Sequence, residues 1–155
     1  MKFKETKQLN SSYKEQIRLL WNREYPSIIR HKKAKDFEEY LSKLKDKNHL
    51  LILEEENVLG WYCDFIRQEE RWFVMILGTK IQGKGIGKKI IESIKNRYKE
   101  LNGWVVVDES YLKDNNEIYK SPIDFYKKQG FTIFENEKLD SSIINVVKIQ
   151  LKSIN

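Results

Sequence analysis

The stretch Leu77-Gly78-Thr79-Lys80-Ile81-Gln82-Gly83-Lys84-Gly85-Ile86-Gly87-Lys88 decides how this chain is built. Just before it, Trp72 to Leu77 is a short apolar run of strand character. Just after it, Ile86, Ile90, Ile91, Ile94, Tyr98 and Leu101 recur at the spacing of one helical face. Between strand and helix the glycines bend the chain. They leave backbone N–H groups free at a helix start, where the helix dipole is positive. Missing Cβ atoms let an oxygen-rich anion approach that backbone closely. Lys84, Lys88 and Lys89 add positive charge. Together these features point to a phosphate or pyrophosphate.

Working outward, Asn102-Gly103 is the expected stop of the helix, and Trp104 to Val107 follows as a strand. A strand–helix–strand order implies a parallel crossover. Upstream, residues 49–77 carry three strand-like runs with short polar breaks, the pattern of an antiparallel meander. Before them, residues 2–8 suggest a first strand. Ser12-Tyr13-Lys14-Glu15 fits a capping box for a helix running to about Tyr25. Asp36 is placed to cap a second helix whose apolar stripe is Phe37, Tyr40, Leu41 and Leu44. Downstream, residues 109–120 read as loop. Ser121-Pro122 starts a short helix that Gly130 ends. Two closing strands follow, Phe131 to Phe134 and Ile143 to Leu151. In the last, Val147, Ile149 and Leu151 alternate with Lys148, Gln150 and Lys152, which predicts one wet face.

Composition bounds the remaining choices. A length of 155 residues suits one domain, 1–155, with a full core. No linker or repeat interrupts it, and 4 Trp, 8 Tyr and 7 Phe supply bulky core pieces. One cysteine, Cys63, excludes an intrachain disulfide and a Cys-rich zinc site. Two histidines, His31 and His49, lack metal spacing. No apolar run approaches membrane-spanning length, and no signal region precedes the chain, so a cytoplasmic, non-membrane protein is expected. The net charge of +6 suggests an anionic partner without choosing among nucleic acid, membrane and phosphorylated small molecule.

Three phosphate-binding loops compete for the glycines. Gly78 to Lys84 matches G-x-x-x-x-G-K, but Gly85 stands where the triphosphate loop needs the Mg²⁺-binding hydroxyl. Gly83 and Gly85 begin G-x-G-x-x-G, but Lys88 holds the third glycine position, and a meander does not open that fold. The third pattern, [QR]-x-x-G-x-[GA], is met in full by Gln82-Gly83-Lys84-Gly85-Ile86-Gly87. Here the chain resembles the GCN5-related N-acetyltransferase (GNAT) family, in the loop and in the order of elements over nearly its whole length. Phe125-Tyr126-Lys127-Lys128-Gln129-Gly130-Phe131 looks like that family's Phe-Tyr-x-x-x-Gly-Phe segment.

The resemblance implies an α/β fold of mixed α+β type. A central, mostly antiparallel sheet of six to seven strands would be flanked by about four helices. It implies transfer of an acetyl group from acetyl-CoA to a primary amine in a ternary complex, without a metal. Ile76, Leu77 and Gln82 to Lys88 would bind the cofactor. A strand amide near Ile76 or Leu77 would hold the thioester oxygen. Tyr126 would be the general acid toward the thiolate. The family's usual supporting Asn is replaced by Tyr119, with Asn115 and Asn116 out of register. The strand before the loop carries no acid, so the base is open: Asp64, Glu109 and Asp108 are candidates, and a water relay is the alternative. Cys63 reads as a core residue and His31 as part of a basic turn. The acceptor would be a small molecule or peptide, and the protein a monomer or homodimer without nucleic acid or membrane. The competing class is a basic nucleic-acid-binding module that stacks bases on Trp61, Tyr62, Phe65, Trp72 and Phe73.

Overall fold

Three apolar runs in the middle of the chain, leucine-rich in the first and aromatic-rich in the other two, form the expected meander: β2 (Lys45–Glu54), β3 (Asn57–Arg67) and β4 (Glu70–Leu77). A computed structural model describes residues 1–139 and 143–153. The other strands are β1 (Lys2–Thr6), β5 (Glu100–Val106), β6 (Thr132–Lys138) and β7 (Val146–Lys152). The helices are α1 (Ser11–Glu24), α2 (Ala34–Ser42), α3 (Ile86–Ile94) and α4 (Ile123–Lys128). The seven strands form one sheet in the order β1-β2-β3-β4-β5-β7-β6. Every neighbouring pair is antiparallel except β4–β5, the parallel crossover.

Period-two alternation sorts the meander onto two cores. Trp61, Cys63, Phe65, Trp72 and Ile76 face α1 and α2. Tyr62, Phe73 and Ile149 face Ile86, Ile90, Ile91 and Ile94 of α3 and Tyr126 of α4. The five strand aromatics that a base-stacking surface would present are all buried in these layers.

Several boundaries differ from the sequence reading. The N-cap of α1 is Asn10, whose Oδ1 accepts from Tyr13 N–H at 2.8 Å, rather than Ser12. Asp36 does not cap α2 but sits at its third position, accepting the Lys33 N–H at 2.9 Å. The largest change is in α3, which ends at Ile94 and leaves Asn102-Gly103 inside β5. Gly103 is there for close packing: an added Cβ would lie 2.8 Å from the Phe73 ring. Asn102 is fully buried and donates to Arg71 O at 3.1 Å, while its Oδ1 accepts from Gln150 at 3.0 Å. Gln150 also donates to Glu100 at 2.6 Å. The expected wet face of β7 is therefore partly sealed, because β7 lies between β5 and β6 and not at an edge.

His49 is buried on β2, and its Nδ1 accepts the Trp61 indole N–H at 3.1 Å. Burial, followed by Lys47 and Lys14, lowers its pKa from 6.5 to about 4. A ring held neutral in the fold but protonated when unfolded adds stability above pH 6.5, and this is lost as pH falls toward 4. The loss is on the order of 2 kcal/mol by pH 4.5. The variant His49→Gln cannot charge, so its Tm should fall less than that of the wild type between pH 6.5 and 4.5. Parallel Tm curves for the two proteins would remove His49 from the acid response.

Candidate active site

β4 and β5 register only at Trp72–Asn102 and Phe73–Gly103. Beyond those pairs the strands part, and a cavity of about 1120 Å³ opens between them, lined by Val74 to Leu77 on one side and Trp104 to Val106 on the other. The backbone pattern shows which groups enter it. Gly78 N–H donates to Leu59 O at 2.8 Å, and β3 and β4 pair without a bulge. Antiparallel alternation then commits the Ile76 amide to β3 and turns the N–H and C=O of Met75 and Leu77 toward the cavity. The two carbonyls are occupied: Tyr25 Oη donates to Met75 O at 3.4 Å and Gln82 Nε2 to Leu77 O at 2.8 Å.

At the cavity mouth a single 3₁₀ turn, Thr79–Ile81, leads into the glycines and α3. Gly83 and Gly85 have φ of +72° and +78°, the left-handed region that glycine tolerates. A Cβ built on either would meet nothing within 4 Å, so the space beside their backbone is open. Gly85 is the N-cap of α3, and no side chain caps that helix. The unsatisfied amides of the first turn therefore face an open cradle, which fits a pyrophosphate. Gly87 serves packing instead. A Cβ there would lie 2.9 Å from the Phe125 ring, so its absence lets α3 settle against α4.

Sequence-predicted residues divide clearly by position. Ile76, Leu77, Gln82, Gly83, Gly85, Ile86, Gly87 and Lys88 line the cavity, as does Tyr126. Lys84 is an exposed loop residue that does not line it. Tyr126 packs against Phe73, Phe125 and Phe131 at 5.8, 5.1 and 5.1 Å between ring centroids. Burial raises its pKa far above 10, so the hydroxyl keeps its proton at neutral pH. Tyr119 is buried in the same wall, with its pKa pushed up to about 12 by burial.

The proposed bases lie elsewhere. Asp64 is buried on β3 outside the cavity. It is bound by Tyr62 Oη at 2.8 Å, Tyr98 Oη at 2.9 Å, Asn48 Nδ2 at 3.0 Å and Arg71 at 3.0 Å. Glu109 accepts the Ser121 N–H at 2.9 Å and Asp108 the Ser110 N–H at 2.9 Å, and neither lines the cavity. Cys63 is buried on the α1–α2 side, its thiol pKa raised chiefly by burial.

The residues that sequence reasoning missed are Glu24 and Tyr25. Glu24, only 6% exposed, accepts from Thr79 N–H at 3.0 Å and Thr79 Oγ1 at 3.0 and 3.1 Å, with Lys113 Nζ 3.9 Å away. It fastens the end of α1 to the turn before the glycines. One signal was available: an acid in the last turn of a helix opposes the dipole and needs a reason. The stretch 108–120 is also more ordered than a plain loop. Leu112 bridges Ile118, Ser27 N–H donates to Leu112 O at 2.8 Å, and the turn between them forms part of the cavity wall. Among the described residues no group of His, Cys, Asp and Glu could hold a metal ion.

Comparison with known proteins agrees with this geometry. The family model described as acetyltransferase (GNAT) domain matches residues 45–133, more than half of the chain. No curated protein matches. Among solved structures, an aminoglycoside 6'-N-acetyltransferase complexed with coenzyme A aligns with a TM-score of 0.72 at 12% identity, covering 100% of this chain and 98% of that one. A ribosomal-protein-alanine N-acetyltransferase from Brucella melitensis aligns at 0.64 with 12% identity over 98% and 99%. The N-acetyltransferase PseH from Campylobacter jejuni, in complex with acetyl coenzyme A, aligns at 0.56 with 19% identity over 97% of each.

The loop geometry generates a direct test. Gly85→Glu fills and charges the open cradle and should abolish acetyl-CoA binding. A side chain in the left-handed region costs about 1–2 kcal/mol, so the variant should still fold. Wild type with acetyl-CoA at 100 times its Kd gains about 2.7 kcal/mol, or several degrees in Tm. A full ligand-induced shift in Gly85→Glu would show that the cradle does not seat the cofactor.

Proposed function

The chain belongs to the GNAT acetyltransferase family and is an acetyl-CoA-dependent N-acetyltransferase, and from this premise we propose direct transfer to a primary amine held beside the thioester in the β4–β5 cleft. The observation that carries the reading is the meeting of three groups on one cavity: the open glycine cradle, the inward amides of Met75 and Leu77, and Tyr126. Bound acetyl-CoA supplies an activated acyl thioester.

The backbone does most of the work. The α3 first turn and the cradle hold the pyrophosphate. The amides of Met75 and Leu77 are positioned to receive the carbonyl oxygen as it gains charge. Fixing amine and thioester together in the cleft removes the entropic cost of their meeting. The amine nitrogen forms the new C–N bond, the C–S bond breaks, and Tyr126 gives its proton to the departing thiolate. Asp64 and Glu109 lie away from the cleft, which favours a water relay for the ammonium proton over either carboxylate. Met75 and Leu77 amides replace the Ile76 amide in this role, because the Ile76 group is spent on β3. We place the reaction in the cytoplasm, with the protein acting as monomer or homodimer.

Tyr126→Phe separates acid catalysis from binding. Turnover should fall about 100-fold, the lower end of what a positioned acid contributes. The KM for acetyl-CoA should stay within about twofold, because the ring contacts with Phe73, Phe125 and Phe131 remain. Steady-state kinetics with thiol detection measures both, and an unchanged kcat would end the acid role.

A further inference from the structure

At the end of the cleft away from the glycines, Arg67 lies on the α1–α2 side with its guanidinium over the Phe65 ring at 5.1 Å and the Trp72 ring at 5.9 Å. Among the described residues it has no hydrogen bond and no carboxylate partner, although the other inward arginine, Arg71, binds both Asp46 and Asp64. Trp72 is buried, and its indole N–H, shielded from water, has no acceptor. Trp104 stacks on the Trp72 ring at 5.1 Å, and the Lys148 ammonium lies 5.7 Å from its centroid. A guanidinium with no anionic partner is a group that a carboxylate satisfies.

Electrostatics point the same way. The cavity is lined by Arg67, Lys88, Lys113 and Lys120 against Glu24 and Glu117, with Lys113 lying 3.9 Å from Glu24. The cation at the acceptor end, Arg67, favours an amine whose own molecule carries a negative group. Strand geometry sets the spacing. From the Met75 amide to Trp72 is three residues of β4, roughly 10 Å at the rise of a strand. An α-amino acid is too short, since its carboxylate lies about 3 Å from its nitrogen.

Resting on the acetyltransferase reading above, we propose that the acceptor is an elongated amine with an apolar or aromatic middle and a carboxylate roughly 10 Å from the nitrogen, as in a tripeptide with a free C-terminus, and that Arg67, seated over the Trp72 ring, binds that carboxylate. The amine then lies at the splay and the apolar body against Trp72 and Trp104.

The probe is the tripeptide Ala-Phe-Ala as free acid and as C-terminal amide, with phenylalanine, spermidine and kanamycin as contrasts. The free acid should have a KM at least tenfold below the amide, and should bind the coenzyme A-loaded protein with saturable quenching of tryptophan fluorescence. Arg67→Met keeps the aliphatic stem over the rings and removes the charge. It should erase the acid–amide difference and leave the KM for acetyl-CoA unchanged. Equal binding of acid and amide to the wild type overturns the proposal, as does spermidine or kanamycin as the best acceptor. An Arg67→Met variant that keeps the preference overturns it too. If acetyl-CoA itself gives no thermal shift, the acetyltransferase reading fails instead, and the two failures are distinguished.

Discussion

One break in backbone pairing governs the functional half of this molecule. β4 and β5 are registered partners at Trp72–Asn102 and Phe73–Gly103 only. A separated pair of central strands leaves backbone groups facing a partly apolar space, and unsatisfied groups there are costly. The protein offsets half of that cost itself, with Tyr25 on the Met75 carbonyl and Gln82 on the Leu77 carbonyl. The matching N–H groups are left for a ligand. The two ends of the break are secured differently. At the apex, Asn102 and Gln150 bind across β4, β5 and β7, and Phe73 sits where Gly103 leaves room. At the mouth, Glu24 holds the turn that delivers the glycines. The cleft is thus a fixed feature of the sheet.

Much of this was legible because it is written in local pattern. The meander shows as short apolar runs separated by polar breaks. The crossover shows as strand, glycines and a 3.6-residue repeat, and the short α4 as Ser-Pro and Gly130. The misreadings arose where tertiary contact outranks propensity. Tyr98 and Leu101 continue the helical spacing of α3, yet Asn102 and Gly103 are needed in β5 for a buried hydrogen bond and a ring contact with Phe73. Gln150 reads as a solvent residue until β7 is known to be flanked on both sides. Asp64 reads as a candidate base on a strand, and only the structure shows four donors already converging on it. No single-sequence pattern could place Glu24 beside Thr79, because the contact joins segments 55 residues apart.

The α3–α4 layer also links the binding and chemical ends of the cleft. Gly87 admits the Phe125 ring to the first turn of α3, and Phe125 stacks edge-on against Tyr126 at 5.1 Å. Seating an anion on α3 therefore bears on the same packed unit that carries the hydroxyl. Rings with few alternative rotamers in a dense core transmit such a contact with little slack.

The same features bear on how the direct transfer proposed above would obtain a neutral nucleophile without Asp64 or Glu109. An amine enters from water as the ammonium ion, and something must disfavour its charge. Under that proposal the cations that line the cleft would raise the energy of the ammonium. That would lower the amine's pKa and ease the passage of its proton to the proposed water relay before attack. The basic surplus of the sequence then has a mechanistic role beyond holding an anion. In the proposed complex it would favour the pyrophosphate near the glycines and a carboxylate at the far end. Between them it leaves the nitrogen as the one group that gains by losing its charge.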